Sequence, residues 1–340
     1  MHLQVEFSNC LYMNLKRFCT RFREMRTCYV GTKVSFLDKI FYAVDYVFAF
    51  IIHGASISDY FAYGFYKLRY KGRKEYITYR RYHVIQNKCN KVSDRCLCRE
   101  KNKFNELFKE FLGRDWIDVN NVDEMLFISF CHKYPVIFIK EINGYKGIGT
   151  RKIETENLNA KDLYNELISD INSHYIAEEQ ITQISELANF HPWSINTIRI
   201  VTVYDTINDK VHIMNARLRM GNKKNNVDNF HFSGIAANIN IETGIIDTIG
   251  YDAHNNTYIV HPITGKQIIG AQIPYWEECK TFVERAARHI PSVRYIGWDI
   301  VIQSGGHFLL IEGNDNADHD FQQLHNCGLW KQYQSIIKRF

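Results

Sequence analysis

The 340-residue chain reads as an α+β protein with a helical, basic N-terminal region. Three observations lead there. Residues 99–113, REKNKFNELFKEFLG, set Phe104, Leu107, Phe108, Phe111 and Leu112 in a helical stripe, with Gly113 suited to end the helix. From Ser194 onward, apolar runs of strand length dominate. The stretch YIGWDIVIQSGGHFLLIEGNDN (295–316) reads as two strands, Tyr295–Ser304 and His307–Asn314, around Gly305-Gly306. Both positions of a tight two-residue hairpin turn want φ > 0, which glycine supplies.

That turn would fix the register. Ser304 would face His307, and Asp299 would then lie opposite Glu312, with Asn314 on the same face. Ile300, Ile302, Leu309 and Ile311 would form the other, apolar face. Two carboxylates opposed across a ladder destabilise it unless something neutralises them. A divalent cation is one candidate, and the hard oxygen donors favour Mg²⁺ or Mn²⁺. A Lys or Arg from elsewhere in the chain is the other.

Composition bounds the rest. No apolar run approaches the ~20 residues that span a bilayer; Phe41–Ile52 is the best, and Asp45 interrupts it. Charges run through the first 30 residues, against the pattern of a signal peptide. Nine scattered cysteines fit reduced thiols and a cytoplasmic setting better than a disulfide framework. Cys89, Cys96 and Cys98, with His83 nearby, match no zinc spacing. Residues 1–100 hold 18 Lys/Arg against 8 Asp/Glu, a net of +10 in a chain of +5, so the remainder carries −5. Such a basic portion suits an anionic surface or ligand, or the acidic remainder of the same protein.

Taken in order, residues 1–90 read as helical and irregular, with a basic amphipathic turn around Arg17, Arg21 and Arg23 and a more apolar helix over 36–52. Residues 60–81, YFAYGFYKLRYKGRKEYITYRR, interleave aromatics with Lys and Arg. Such a pattern can stack nucleic-acid bases, but an amphipathic helix pair with snorkelling basic side chains is the favoured reading. Residues 135–154 read as strand, glycine-bearing loop and strand, with Lys140 on the first strand and Gly144, Gly147 and Gly149 leaving the backbone free to approach a ligand. Neither a Walker loop nor a dinucleotide fingerprint is present. A hairpin lid closing on phosphates is one physical alternative, and an ordinary hairpin the other. A helix over 158–173 precedes the segment YIAEEQIT (175–182), a strand entering a linker with Glu178 and Glu179. Strands then follow at 194–204, 211–220, 233–241 and 245–249, bearing Arg199, Arg217 and Arg219. Arginines on central strands either clamp phosphate or carboxylate groups or pair with internal acids. A helix over 277–290 and a terminal helix from Leu329 complete the chain.

This order of parts resembles an ATP-grasp enzyme, and more narrowly the sugar-transfer associated ATP-grasp family. The residues that carry the resemblance are HPWSINTIRIVT (191–202), ARLRMG (216–221), VDNF (227–230), ETG (242–244), HPITG (261–265), IPYWEE (273–278), GWD (297–299) and EGN (312–314), with DYFAYGFY (59–66) similar to an N-terminal extension. Ser233-Gly234 departs from it, where Gly-Gly is expected. The resemblance implies two α+β lobes clasping ATP behind a helical extension, divided at about 1–98, 99–190 and 191–340. It implies that Lys101 and Lys140 contact nucleotide phosphates under the loop Gly144–Gly149. Glu178 would meet the adenine amino group, and Glu179, Gln180 and Ile181 would offer backbone to the adenine edge. Glu186 would hold the ribose. Asp299, Glu312 and Asn314 would hold Mg²⁺ (or Mn²⁺), and Arg199, with Lys140 and Arg219, would stabilise the transferring phosphoryl group. The implied reaction is ligation: a carboxylate, such as a sugar acid, becomes an acyl phosphate at the expense of ATP, and an amine displaces phosphate to leave an amide in a surface-polysaccharide precursor. A kinase on the same fold, and a membrane- or nucleic-acid-binding protein with a vestigial ATP site, are the alternatives. Nucleic acid is disfavoured as a partner, whereas peripheral membrane contact suits the basic N-terminal region.

Overall fold

The computed structural model describes residues 2–144, 149–223, 234–323 and 328–340, with side chains from residue 16 onward. Gly147, the VDNF segment and Ser233 lie outside the described residues. Packing gathers the chain into two compact units, 1–88 with 318–340, and 89–317. The terminal segment thus belongs with the N-terminal helices, and the two sheets share one unit.

In the first unit, Ser35 caps the helix Phe36–Phe48 by accepting from the Asp38 N–H. The helix widens into a π-type turn, Ala49–His53, which Gly54 ends at φ +66°. Ser56 and Asp59 form a reciprocal capping box for the short helix Ile57–Ala62. The aromatic-basic stretch is not one helix pair. Gly64, at φ +63°, breaks it, and it continues as single turns at Phe65–Lys67 and Tyr70–Arg73 before the helix Tyr79–Cys89. Its aromatics build the core: Tyr60, Phe61 and Phe65 pack with Tyr46 and Ala49. Asp45 is held inside by Arg73, at 2.9 and 2.7 Å, and by the Tyr60 hydroxyl at 2.8 Å. The terminal segment joins this unit through His319, whose Nε2 lies 2.9 Å from Asp59, and through Gln323, which accepts from the Ile77 N–H.

The second unit carries two antiparallel sheets. The smaller consists of β1 (Trp116–Asp118), β2 (Val136–Glu141), β3 (Arg151–Glu154) and β4 (Tyr175–Glu179), in the order β1-β4-β2-β3. The helices Glu124–Lys133 and Ala160–Ser169 supply Phe127, Leu163 and Leu167 to a core with Ile137 and Ile139. The larger sheet has seven strands: β5 (Thr197–Asp205), β6 (Lys210–Met220), β7 (Ile235–Asn238), β8 (Gly250–Tyr251), β9 (Thr257–Tyr258), β10 (Tyr295–Ile302) and β11 (Phe308–Asn314). Their order is β11-β10-β5-β6-β7-β8-β9. The strand expected at 245–249 is reduced to isolated bridges, Ile239 with Ile246 and Ile245 with Gln272. The helices Lys101–Leu107 and Trp276–His289 contribute to this sheet's core, in which Phe108 meets Trp298 edge-on at 5.4 Å.

The β10–β11 hairpin reaches its expected pairing by an unexpected route. Its turn holds three residues rather than two: Gln303 N–H donates to His307 O, and Ile302 faces Phe308. Both glycines do take positive φ, +79° and +76°. The extra turn residue shifts the register by one, so Ile300 faces Leu310. A bulge at Ile311 then shifts it back, and Asp299 faces Glu312. Ile311 is therefore not a core residue opposite Ile300. It is half-buried, and Leu310 takes that place.

Candidate nucleotide and metal site

One rung crosses five strands of the larger sheet: Glu312, Asp299, Arg199, Arg217 and Asn238 stand directly opposite one another in turn. Opposed residues share a face, so register alone assembles this polar row. Arg199 donates to both oxygens of Asp299 through Nε and Nη2, the latter at 2.8 Å, and Arg219 donates to Oδ2 at 2.9 Å. Burial opposes ionisation of Asp299, but Arg199 and then Arg219 outweigh it and hold the carboxyl well below the usual range. The neighbouring Glu312 is pushed the other way, by burial and then by Asp299. Asn314 donates to Glu312 Oε1 at 3.0 Å.

Asp299 is thus neutralised by arginines from β5 and β6. These occupy Asp299, while Glu312 keeps more than a third of its side chain open to solvent. Two carboxylates and an amide on one face form an all-oxygen donor set that fits a hard divalent ion. Among the described residues no group of three or more His, Cys, Asp or Glu gathers at a metal-binding distance. The seven cysteines with described side chains are free thiols.

The smaller sheet brings the lysines. Lys140 on β2 donates to Glu178 Oε2 on the adjacent β4 at 2.6 Å. Lys101, at the start of its helix, donates to Glu141 O at 3.0 Å and to Gly144 O, which ties it to the entry of the glycine loop. Burial lowers the Lys101 pKa, with Glu312 the strongest opposing influence. Gly149, at φ +76°, closes the far limb of the loop, where a Cβ would sit 2.9 Å from Glu141 Oε1.

Glu178 is fully buried, and both its oxygens are engaged. Asn105 and Arg114 donate to Oε1 at 3.0 and 2.8 Å, and Lys140 donates to Oε2. Burial opposes its charge, but Arg114 and Lys140 outweigh that and depress its pKa. In this arrangement the Glu178 side chain orients Lys140. Two hinge amides are also spent inside the chain: Glu179 N–H donates to Asp115 O, and Gln180 N–H to Val136 O. Glu186 lies exposed on the short helix Ser185–Ala188, with Ser185 as its hydrogen-bond partner.

Residues that sequence reasoning missed join these parts. Arg114 reaches from Glu178 to the carbonyls of Leu310 and Ile311 on β11, at 2.5 and 3.3 Å. The Ile311 bulge presents two successive carbonyls to one guanidinium. Its only sequence signal was a position just past Gly113, which takes the left-handed conformation that ends a helix. Asn105 was more legible, as a polar residue one turn from Lys101 and within the Phe104–Leu112 apolar stripe. His191 and His261, both buried, accept no place in the row. They fix the end of β6 through Ser194, Gly221 O and Lys223 O, at 2.7, 2.7 and 2.8 Å.

The family follows from a match over residues 74–338 to the model of the sugar-transfer associated ATP-grasp family. The chain belongs to the sugar-transfer associated ATP-grasp family. Among solved structures, it is similar to the ATP-grasp ligase PsnB complexed with minimal precursor, Mg and ADP, at 16% identity and TM-score 0.43, with 74% of this chain and 62% of that one covered. It is also similar to N5-carboxyaminoimidazole synthetase from Staphylococcus aureus complexed with ADP (12% identity, 66% and 45% covered, TM-score 0.39). A third is the D-alanine-D-alanine ligase from Coxiella burnetii (9%, 72% and 58%, 0.41). The chain thus spans less than two thirds of the length of each. No curated protein matches.

Proposed function

We propose that this ATP-grasp protein is an ATP-dependent ligase that joins a carboxylate to an amine through an acyl phosphate, with a saccharide acid as the carboxylate. The observation that carries the proposal is a set of largely buried cations in two clusters: Arg199 and Arg219 pair with Asp299 beside Glu312, and Lys140 and Arg114 pair with Glu178, with Lys101 tied to the entry of the glycine loop. Such a cationic excess suits a polyphosphate and the charge that develops on a transferring phosphoryl group. Family membership supports ATP as the substrate.

In this reading the carboxylate oxygen attacks the γ-phosphorus, the bond to ADP breaks, and the amine then displaces inorganic phosphate. Lys101 and Lys140 bind phosphate oxygens, with Glu178 fixing Lys140. Carbonyls of Glu179 to Ile181 take the adenine edge, and Glu178 reaches the adenine amino group only by giving up a partner. Glu186 is the ribose candidate. Arg199 and Arg219 supply positive charge to the reacting phosphoryl group. Asp299, Glu312 and Asn314 would hold Mg²⁺, which supplies neutralisation of phosphate charge.

The test is calorimetric titration of ATP with and without Mg²⁺, for wild type and Glu312→Gln. Binding that needs Mg²⁺ and weakens at least tenfold in the variant is expected. Equal binding in both proteins would remove Glu312 from the metal site. With a panel of uronic acids and amines, ADP, free phosphate and an amide are expected; a stable phosphate ester would instead make the protein a kinase.

A further inference from the structure

Among the described residues, the first unit leaves a helical face uncovered. Phe36, Ile40, Val44, Val47, Phe48 and Ile51 follow one another at helical spacing along Phe36–Phe48 and the π-type turn, and each is exposed, Phe36 by 74% and Ile51 by 61%. A contiguous apolar stripe of this length on a soluble surface marks an interaction site. The inner face is satisfied: Tyr46 and Ala49 are buried, and Asp45 is bonded to Arg73 and Tyr60. The helix's other charged residues, Asp38 and Lys39, are exposed, with Asp38 accepting from the Ser35 hydroxyl.

The surroundings of the stripe are cationic and aromatic. Arg80 lies against its C-terminal end, donating to Phe50 O and Ile51 O. Gly54, at φ +66°, lets it lie there, since a Cβ would fall 2.3 Å from Arg80 Cβ. Lys74 stands 4.3 Å over the ring of Tyr70, which itself packs on His53. Tyr70 and Tyr79 are both half exposed. Residues 1–88 hold 15 Lys/Arg against 6 Asp/Glu, a net of +9. Apolar side chains beside Tyr, Lys and Arg are the makeup of a helix that lies in the headgroup layer of an anionic bilayer. Among the described residues no helix is long and apolar enough to cross a membrane, so the segment would lie along the surface.

We propose that the Phe36–His53 segment docks on anionic lipid bilayers, inserting this stripe at the level of the acyl chains while Lys74 and Arg80 meet the headgroups. The proposal stands apart from the ligase reading, and either can fail alone.

The experiment is flotation of the full chain with vesicles of phosphatidylcholine and phosphatidylglycerol (70:30), or of phosphatidylcholine alone, in 0.1 M salt. Binding to the anionic vesicles at least tenfold tighter than to the neutral ones is expected, weakening severalfold at 0.5 M salt. Val44→Asp/Val47→Asp/Ile51→Asp should abolish it. Val44→Ser/Ile51→Ser, which spares the fold at exposed positions, should weaken it at least fivefold with an unchanged melting temperature. Absence of wild-type binding, or serine-variant binding equal to wild type, would overturn the proposal. So would light scattering that shows a wild-type dimer without lipid which the serine variant converts to monomer, because the face would then belong to a second copy.

Discussion

Replacing Arg114 by Met should weaken the second unit. The guanidinium is almost wholly buried beside the equally buried Glu178, 2.8 Å away. Removing one member of a buried ion pair costs about 3–5 kcal/mol, because the partner's charge stays behind uncompensated. Glu178 would keep Lys140 and Asn105, which argues for the lower end, about 3 kcal/mol. For a unit of this size, melting falls roughly 2–4 °C per kcal/mol, or about 6–12 °C in all. Trp116, Trp193, Trp276 and Trp298, four of the five tryptophans, lie in this unit, so intrinsic fluorescence follows its transition. The pH dependence has a definite sign. The depressed Glu178 pKa gives stability that is present above the ordinary carboxylate range and lost as pH falls through the folded value. Without Arg114 the folded value rises, so the variant should lose this stability at a higher pH than wild type. Arg114→Met/Glu178→Gln should recover at least about 2 kcal/mol relative to the sum of the single changes, the coupling expected of a buried contact pair. A shift below 2 °C in Arg114→Met, or strict additivity in the double variant, would refute the view that this pair joins β4 to β11.

Two further outcomes follow from geometry. Gly149→Ala places a Cβ at φ +76° beside Glu141; a left-handed strain of about 1 kcal/mol, relieved by displacement of the loop limb, should weaken ATP binding roughly fivefold in calorimetry and lower melting by no more than about 2–4 °C, and unchanged affinity would dissociate the loop limb from the nucleotide. In the first unit, burial opposes protonation of His319, but its hydrogen bond to Asp59 outweighs that and raises the pKa. The resulting stability is full below about pH 6.5, the unfolded value, and is lost as pH rises through the folded one; His319→Gln should flatten that dependence of melting on pH, and an unaltered profile would count against the pairing.

Much of the site was written in local chemistry. The glycine pair forced a turn, alternation gave β10 its faces, and the Asp299–Glu312 opposition emerged as read. Lys140, Gly149 and the helix bearing Lys101 likewise fell where strand, loop and stripe patterns set them. Such features depend on neighbours in sequence, where φ preference and side-chain period act directly. The hairpin's actual path shows the limit: a three-residue turn and a bulge each shift register by one and cancel, and no pattern in the sequence distinguishes that from a simple turn. What neutralises the carboxylates was also undecidable there. The alternatives of a cation and an arginine stood equal until β5 and β6 set Arg199 and Arg219 beside Asp299. Arg114 went unseen because its partners lie 64 and 196 residues away, and a buried charge reveals its purpose only through partners that the fold supplies. The exposed stripe over 36–51 carries the converse lesson. The sequence showed an apolar helix, which most often means core, and only tertiary packing decided that its opposite side, with Tyr46 and Ala49, was the one to be buried.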